Sequence, residues 1–476
     1  MTKSTTLNAT PDARTLLRLD KLTLHNFRCF NDCVLELDPN LTVLVAENAQ
    51  GKTALLNAIS IALDVFVAGI GHSQSNGFER SDIHLIRDAE KGMVPAPIVK
   101  FDAAGVVDGE ALTWGRSLSS SSPLSRSSTK DVKVMRAATE RLAARVSDAE
   151  GNMSATLPSV AFYGTGRLWD EHRLTEGKRW GSTEKSTRFS AYLDCLSPSS
   201  SFKTFATWYE DTSNSLRSST SKALGFQEKP ETLLAAVRKP VEVVLEPTGW
   251  NTIDWEFPVV NEIGVPQGRG FLVVEHDERG RLPLSSLSDG VRNMVALVGD
   301  LAHRCVRLNP HLGENAASLT PGILLIDEVD MHLHPRWQQL VVGLLQKAFP
   351  AMQMVFTTHS PQVLSTVTKE SIRVISIASG GDSIKIPEYQ TRGVESADVL
   401  ATIMGVDPVP QVEEAEWVND YRALIETGNH ASADGIALRL KLTRHFSNVH
   451  PLILDFERLI RFQDFKRRKP QVGQDK

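Results

Sequence analysis

The sequence predicts an α/β fold in which a buried parallel sheet presents a phosphate-binding loop. Two observations carry that expectation. "LTVLV" (41–45) is a fully apolar run, "AENAQGKT" follows it, and "KTALLNAISIAL" continues at helical spacing. Strand, glycine-containing loop and helix, in that order, form the context in which G-K-T binds phosphate. Farther on, "GILLIDEVD" (322–330) is a second apolar run that closes on Asp327 and Glu328. Acids at the carboxyl end of a buried parallel strand stand where open α/β sheets place their ligands.

The remaining elements follow in chain order. "LDKLTLHNFRCF" and "CVLELD" read as strands, and "PIVKFDAAGVVDGEALTWGRSL" reads as a hairpin turning at Asp108-Gly109. "SLSSSSPLSRSSTK" is a serine-rich linker, after which 131–148 reads as helix. "SVAFYGTGRLW" is a strand entering a loop. "SSFKTFATWYEDTSNSL" and "ETLLAAVRKPVEVVL" are helical, and "DWEFPVV" and "GFLVVEHDERGRLPL" return to strand. "SLSDGVRNMVALVGDLAHRCVRL" is a loop opening an amphipathic helix, and "MQMVFTTHS" and "SIRVISI" are strands. From about Val394 the pattern is helical. The expected organisation is a flexible tail at 1–17, a first part of the nucleotide-binding head at 18–115 and a mixed α/β, largely helical insertion at 116–269. The second part of the head covers 270–392, and a helical C-terminal region covers 393–476.

Composition narrows the function classes. With 476 residues, 41% hydrophobic and 23% charged, the chain is an ordinary globular sequence, and its net charge of −5 argues against a globally basic nucleic-acid coat. The tail "RLIRFQDFKRRKPQ" mixes basic and aromatic residues; it reads first as a solvated terminus and second as a phosphate-contacting segment. Cys29, Cys33, Cys195 and Cys305 make no C-x-x-C pair and are expected to be free thiols of a reducing compartment. The first residues lack an apolar signal region, and the apolar stretch after the loop contains Asn57 and Asp64, so no membrane partner and a cytoplasmic location are expected.

The candidate site is assembled from four stretches. The backbone of Asn48, Ala49, Gln50, Gly51, Lys52, Thr53 and Ala54 would wrap a nucleotide phosphate, with Lys52 on the outer phosphates and the Thr53 hydroxyl on Mg²⁺. Ala46 and Ala49 stand where such loops commonly carry glycine, at a cost of about 1 kcal/mol if positive φ is required. Asp327 would hold the metal through water, and Glu328 would polarise the attacking water. Ser288 and Gly290, just before a long helix, could face an anion; taken alone, Ser288 or Asp289 is simply an N-cap. His359 closes "VFTTHSP" either as a structural histidine or as a contact to the γ-phosphate.

Together these stretches resemble the ABC-type head of the P-loop NTPases, in the branch that includes SMC, RecF and OLD-like proteins. "LTLHNFRCF" resembles that branch's first strand, "LSDGV" its signature motif and "IDEVDMHLHP" its Walker B motif and D-loop. "AFYGTGRLW", "LSDGVRNMVALVGDLAHR", "HLHPRWQQ" and "TRGVESADVLATIMGVD" are similar to the bacterial AAA/ABC ATPases of the PtuA type, from Septu and retron anti-phage defence systems. The resemblance implies an ATPase using ATP and Mg²⁺, in a homodimer or higher oligomer that sandwiches nucleotide. Lys52, Glu328 and His359 would be catalytic, His359 as the switch histidine, and Ser288 and Gly290 would contact the γ-phosphate of the partner copy. It further implies a separate nuclease or toxin effector, with DNA or RNA as a further partner. Asp82 falls in the region of the Q-loop, where no glutamine marks it, and Gln74 is the alternative. His334 stands where SMC heads carry a D-loop aspartate. About 230 residues separate Thr53 from Leu287 without sustained heptads, which excludes a long coiled-coil arm. Two other outputs fit the same head: a nucleotide-gated scaffold with negligible turnover, and a RecF-like DNA-repair ATPase.

Overall fold

The computed structural model describes residues 16–70, 77–121, 132–147, 154–167, 188–197, 202–218, 229–260, 266–267, 270–378 and 381–468. The chain forms two compact units, Met1–Met404 and Gly405–Lys476.

In the first unit, β1 (Leu17–Phe27) and β2 (Phe30–Glu36) form a hairpin, and β3 (Leu41–Val45) leads through the loop into α1 (Lys52–Gly69). β4 (Ile98–Val107) and β5 (Glu110–Ser119) turn at Asp108 (φ 55°) and Gly109 (φ 80°). Two consecutive positive φ values are what a two-residue hairpin of matching twist requires, and Asp-Gly supplies them cheaply. β6 (Ser159–Tyr163) follows, then α2 (Phe202–Ser218) and α3 (Pro230–Leu245). β7 (Trp250–Glu256), β8 (Phe271–His276) and β9 (Gly280–Pro283) precede α4 (Asp289–Leu308). β10 (Gly322–Ile326), β11 (Met352–Thr357), β12 (Ile372–Ala378) and β13 (Gly381–Lys385) follow.

The central sheet has the order β13-β12-β3-β11-β10-β6, parallel except for β13. Its register sets Leu44 beside Thr357, and Ile326 beside both Phe356 and Tyr163. Four carboxyl ends therefore lie along one edge, and the segments that leave them share it. The apolar runs of β3, β10, β11 and β6 are buried along their whole length, as parallel strands covered on both faces must be. Side chains nonetheless alternate between two cores. Leu44, Val160, Phe162, Ile323, Leu325 and Val355 join α1 and the antiparallel sheet β2-β1-β4-β5. Val43, Val45, Ala161, Leu324, Ile326 and Phe356 join α3, α4 and the sheet β9-β8-β7. Each large aliphatic side chain so buried contributes roughly 1.5–3 kcal/mol.

Two elements depart from the organisation expected from sequence. β6 lies within the segment expected to be an insertion, yet it is the edge strand of the central sheet. Its buried backbone N–H and C=O groups need partners, and β10 and the Cys195 carbonyl supply them. The helix Ser396–Thr402 lies beyond the expected boundary at 392 but buries Val399 in the second core, so the compact units divide after Met404. α1 alone among the described helices is apolar and long enough to cross a bilayer. It is a core helix here, with Asp64 paired to Arg116 at 3.3 Å, both buried.

One buried side chain ties the fold to pH. His303 of α4 stacks near Trp208 of α2, ring centroids 4.6 Å apart, and neither ring nitrogen has a hydrogen-bond partner among the described residues. Burial, then the charges of Arg307 and Arg304, hold its pKa well below the usual 6.5. Above about pH 6.5 the ring is neutral folded and unfolded; below it, the unfolded chain takes a proton that the folded chain refuses. Stability is therefore lost as the pH falls from 6.5 towards the folded-state pKa. Urea unfolding from about pH 7 to about pH 5 should show a shallower acid limb in His303→Leu, by up to one proton.

The second unit consists of α5 (Glu413–Thr427), α6 (Ala433–Phe446) and α7 (Pro451–Arg468) around Tyr421, Ile425, Leu442, Ile453 and Phe456. Tyr421 and Phe456 meet edge to face at 5.0 Å, and Lys441 lies over the Trp417 ring at 3.5 Å.

Candidate nucleotide site

The loop 46–53 leaves β3 at the shared edge of the sheet. Gly51 is the N-cap of α1 at φ 85°, and a Cβ there would lie 2.5 Å from Phe30 Cζ and 2.7 Å from Cys29 Sγ. Conformation and space both demand glycine, because the tip of the β1–β2 hairpin closes on the loop. Ala49 adopts φ 62°, so its methyl is tolerated at the modest expected strain. Ala46 is buried and is not among the positive-φ residues, so the missing first glycine costs no backbone strain. Asn48 and Ala49 are exposed, Gln50 Oε1 accepts from the Ile377 amide at 2.9 Å, and the Ala54 methyl is buried in the first core.

Lys52 is buried and folds back on its own loop, donating to the carbonyls of Ala46 (2.8 Å) and Glu47 (3.1 Å). Burial lowers its pKa, while the carboxylates of Glu328, Asp327 and Asp330 oppose that shift. The Thr53 hydroxyl donates to Asp327 Oδ2 at 2.9 Å, joining the loop to the acids that end β10. Asp327 is 2% exposed; its amide donates to the Tyr163 carbonyl at 2.8 Å, and its Oδ1 accepts from Thr357 Oγ1 at 2.6 Å. Glu328 is half-buried at φ 48°, with its amide donating to Thr357 Oγ1 at 2.7 Å. The end of β11 also fixes the next turn: Thr358 Oγ1 donates to Asp330 Oδ1 at 2.5 Å, and Ser360 Oγ to Gln338 Oε1 at 2.8 Å. His359 lies between them, half-buried.

A hydroxyl and a carboxylate at 2.9 Å are hard oxygen donors suited to Mg²⁺, which takes few protein ligands and completes its shell with phosphate and water. Among the described residues no group of three or more His, Cys, Asp or Glu could hold a metal by itself. The arrangement therefore suits a metal that arrives with a nucleotide.

Ser288 and Gly290 lie elsewhere. Ser288 occupies the N-cap position of α4, but its exposed hydroxyl makes no capping bond. A Cβ on Gly290 would stand 2.7 Å from the His332 carbonyl, so this glycine lets α4 approach the segment after Asp327 and Glu328. No hydrogen bond joins either residue to the loop 46–53 among the described residues. His334 Nδ1 is engaged as an N-cap, accepting from the Arg336 amide at 3.3 Å. Asp82 is not turned to a ligand: it is 2% exposed and accepts from Arg28 Nε and the Glu79 amide, each at 2.8 Å. Gln74 lies outside the described residues.

Sequence reasoning missed Thr357 and Tyr163. Thr357 was visible only as one of two threonines before His359, and Tyr163 as one aromatic in an apolar strand. Their roles come from strand register, which no local pattern states.

Comparisons with known proteins point the same way as the geometry. A family profile described as "AAA domain" matches residues 21–223, and a second, "AAA domain, putative AbiEii toxin, Type IV TA system", matches 202–365. The chain is 25% identical to "Retron Vc95 probable ATPase" of Vibrio cholerae serotype O1 biovar El Tor, over 87% of this chain and 84% of that one. It is 25% identical to "Retron Ec83 probable ATPase" of Escherichia coli, over 95% and 89%. With "Septu protein PtuA" of Bacillus thuringiensis it shares 24% identity over 37% and 46%. The chain is an ATPase that matches AAA-domain profiles and is similar to the ATPases named for retron systems and to a Septu protein. In this ATPase the candidate nucleotide loop opens α1, and the central sheet brings the acids of β10 to that loop.

Proposed function

We propose that this ATPase hydrolyses Mg²⁺-ATP between two copies of the chain and uses the change of state to control a nucleic-acid-directed effector in anti-phage defence. The observation that carries the reading is the 2.9 Å bond from Thr53 Oγ1 to Asp327 Oδ2, which unites the phosphate loop with the strand-end acids. The amides of residues 48–54 bind the phosphates at the N-terminus of α1. Lys52 exchanges its two loop carbonyls for phosphate oxygens, which return the solvation that burial removed. Thr53 and Asp327 would hold Mg²⁺, whose chemistry is to neutralise charge on the phosphates. Glu328 orients and polarises the attacking water, and His359 contacts the γ-phosphate from the neighbouring strand end.

Ser288 and Gly290 serve the nucleotide of the second copy. The uncapped hydroxyl of Ser288 and its exposure at a helix N-terminus support that role. The effector is a separate nuclease or toxin, and DNA or RNA is a further partner; relatives named for retron and Septu systems support this assignment.

The experiment is ATP hydrolysis with Mg²⁺ by the full chain, beside Lys52→Ala, with mass measured by light scattering with and without ATP. Turnover and an ATP-dependent dimer in wild type, both absent in Lys52→Ala, are expected. Turnover that survives in Lys52→Ala would remove the site, and turnover by a strict monomer would remove the sandwich.

A further inference from the structure

We infer that Thr357 is the positioning residue of this ATPase's metal site, acting through Asp327 and Glu328 together. The inference rests on the reading of Thr53 and Asp327 as the Mg²⁺ holders. Thr357 is the last residue of β11 and has no exposed surface. A threonine hydroxyl has one proton to give and lone pairs to receive. Here the proton goes to Asp327 Oδ1 at 2.6 Å, and a lone pair takes the Glu328 amide at 2.7 Å. One oxygen atom therefore touches the residue that would hold the metal and the residue that would activate water.

The consequence for each partner is geometric. With Oδ1 held by Thr357, the Asp327 carboxylate turns Oδ2 to Thr53, where the metal would sit. The backbone of Glu328 stands at φ 48°, a conformation that a glutamate avoids unless its surroundings impose it. The bond from its amide to Thr357, with the Val329 amide bonded to the Thr357 carbonyl at 3.0 Å, imposes it here. That turn sets the direction in which the Glu328 side chain leaves the sheet edge. Valine, which has the shape of threonine without the hydroxyl, keeps the carbonyl bond but can neither donate to Asp327 Oδ1 nor accept from the Glu328 amide.

The test measures metal separately from turnover. Wild type, Thr357→Val, Thr357→Ala and Thr357→Ser are titrated with the β,γ-imido analogue of ATP, in EDTA and then with Mn²⁺. Bound Mn²⁺ is read by electron paramagnetic resonance, and kcat and the KM for Mg²⁺ are measured on ATP. In EDTA all four should bind the analogue alike, because the loop amides and Lys52 are untouched. With metal, Thr357→Val and Thr357→Ala should lose roughly 10–100-fold in Mn²⁺ affinity, and kcat should fall, as when a partner that orients a metal ligand is removed. Thr357→Ser, which keeps the hydroxyl, should recover most of both. Equal Mn²⁺ affinity in wild type and Thr357→Val overturns the inference while leaving the metal site standing. So does a loss that appears equally in EDTA, or that Thr357→Ser shares. Wild type that gains nothing from Mn²⁺ overturns the metal reading itself, and this inference with it.

Discussion

In Glu328→Gln, ATP turnover falls by roughly 10²–10⁴-fold, while nucleotide binding persists and the ATP-bound dimer accumulates. The substitution conserves shape. The backbone bond from residue 328 to Thr357 and the positive φ are properties of the main chain and survive it. What is lost is the carboxylate's capacity to accept a proton from water. Lys52 also loses the first of the three carboxylates that offset its burial, so binding of the phosphates, which replace that charge, is not weakened. Single-turnover hydrolysis and light scattering on the same samples check the result. A variant that keeps near-wild-type turnover would show that Glu328 is not the base. A variant that fails to bind nucleotide would show that its effect is structural.

The second large effect is one of stability. Asp300→Ala should destabilise the first unit by about 3–5 kcal/mol, the range for breaking a buried ion pair from one side. Asp300 is 3% exposed and accepts from Arg304 Nε and Tyr163 Oη, each at 2.8 Å. Burial pushes the Arg304 pKa down, and Asp300 with its neighbours outweighs burial and holds the guanidinium charged. Arg304 also donates to the carbonyls of Ala191 and Leu193, so α4 is tied through one side chain to the segment after residue 187. Alanine leaves a buried cation and a buried phenol without their shared acceptor. Asp300→Asn, which keeps an acceptor but not the charge, should lose less. Because the Tyr163 carbonyl accepts the Asp327 amide, turnover in Asp300→Ala should also fall in the fraction that remains folded. Chemical unfolding of the three proteins decides it, and equal midpoints would show that the pair is not worth its burial.

The loop that opens α1, the acid pair and the strands that carry them were legible because each is a local pattern. G-K-T after "LTVLV", and Asp327-Glu328 after "GILLI", need only a few neighbouring residues to be recognised. The same holds for the Asp108-Gly109 hairpin and for the helix that opens at Ser288. Sequence also marked Ala49 as a position of strain, and its φ of 62° is where that strain sits.

What local pattern leaves open is which strand lies beside which. "SVAFY" is as apolar as "GILLI", yet only pairing shows it to be the sheet's edge, with Tyr163 bonded both to Asp327 and to Asp300. Asp82, placed by sequence in the region of the Q-loop, is a buried partner of Arg28, 54 positions away. The Thr357 hydroxyl meets Asp327 across 30 positions of chain, because β10 and β11 are neighbours in the parallel register. The sequence by itself therefore determined the chemistry available to this ATPase: a lysine and a threonine at a helix start, and two carboxylates at a strand end. Tertiary structure alone decided how that chemistry is aimed. The aim is set by hydrogen bonds between residues distant in the chain, and their partners exist only once the sheet has chosen its order.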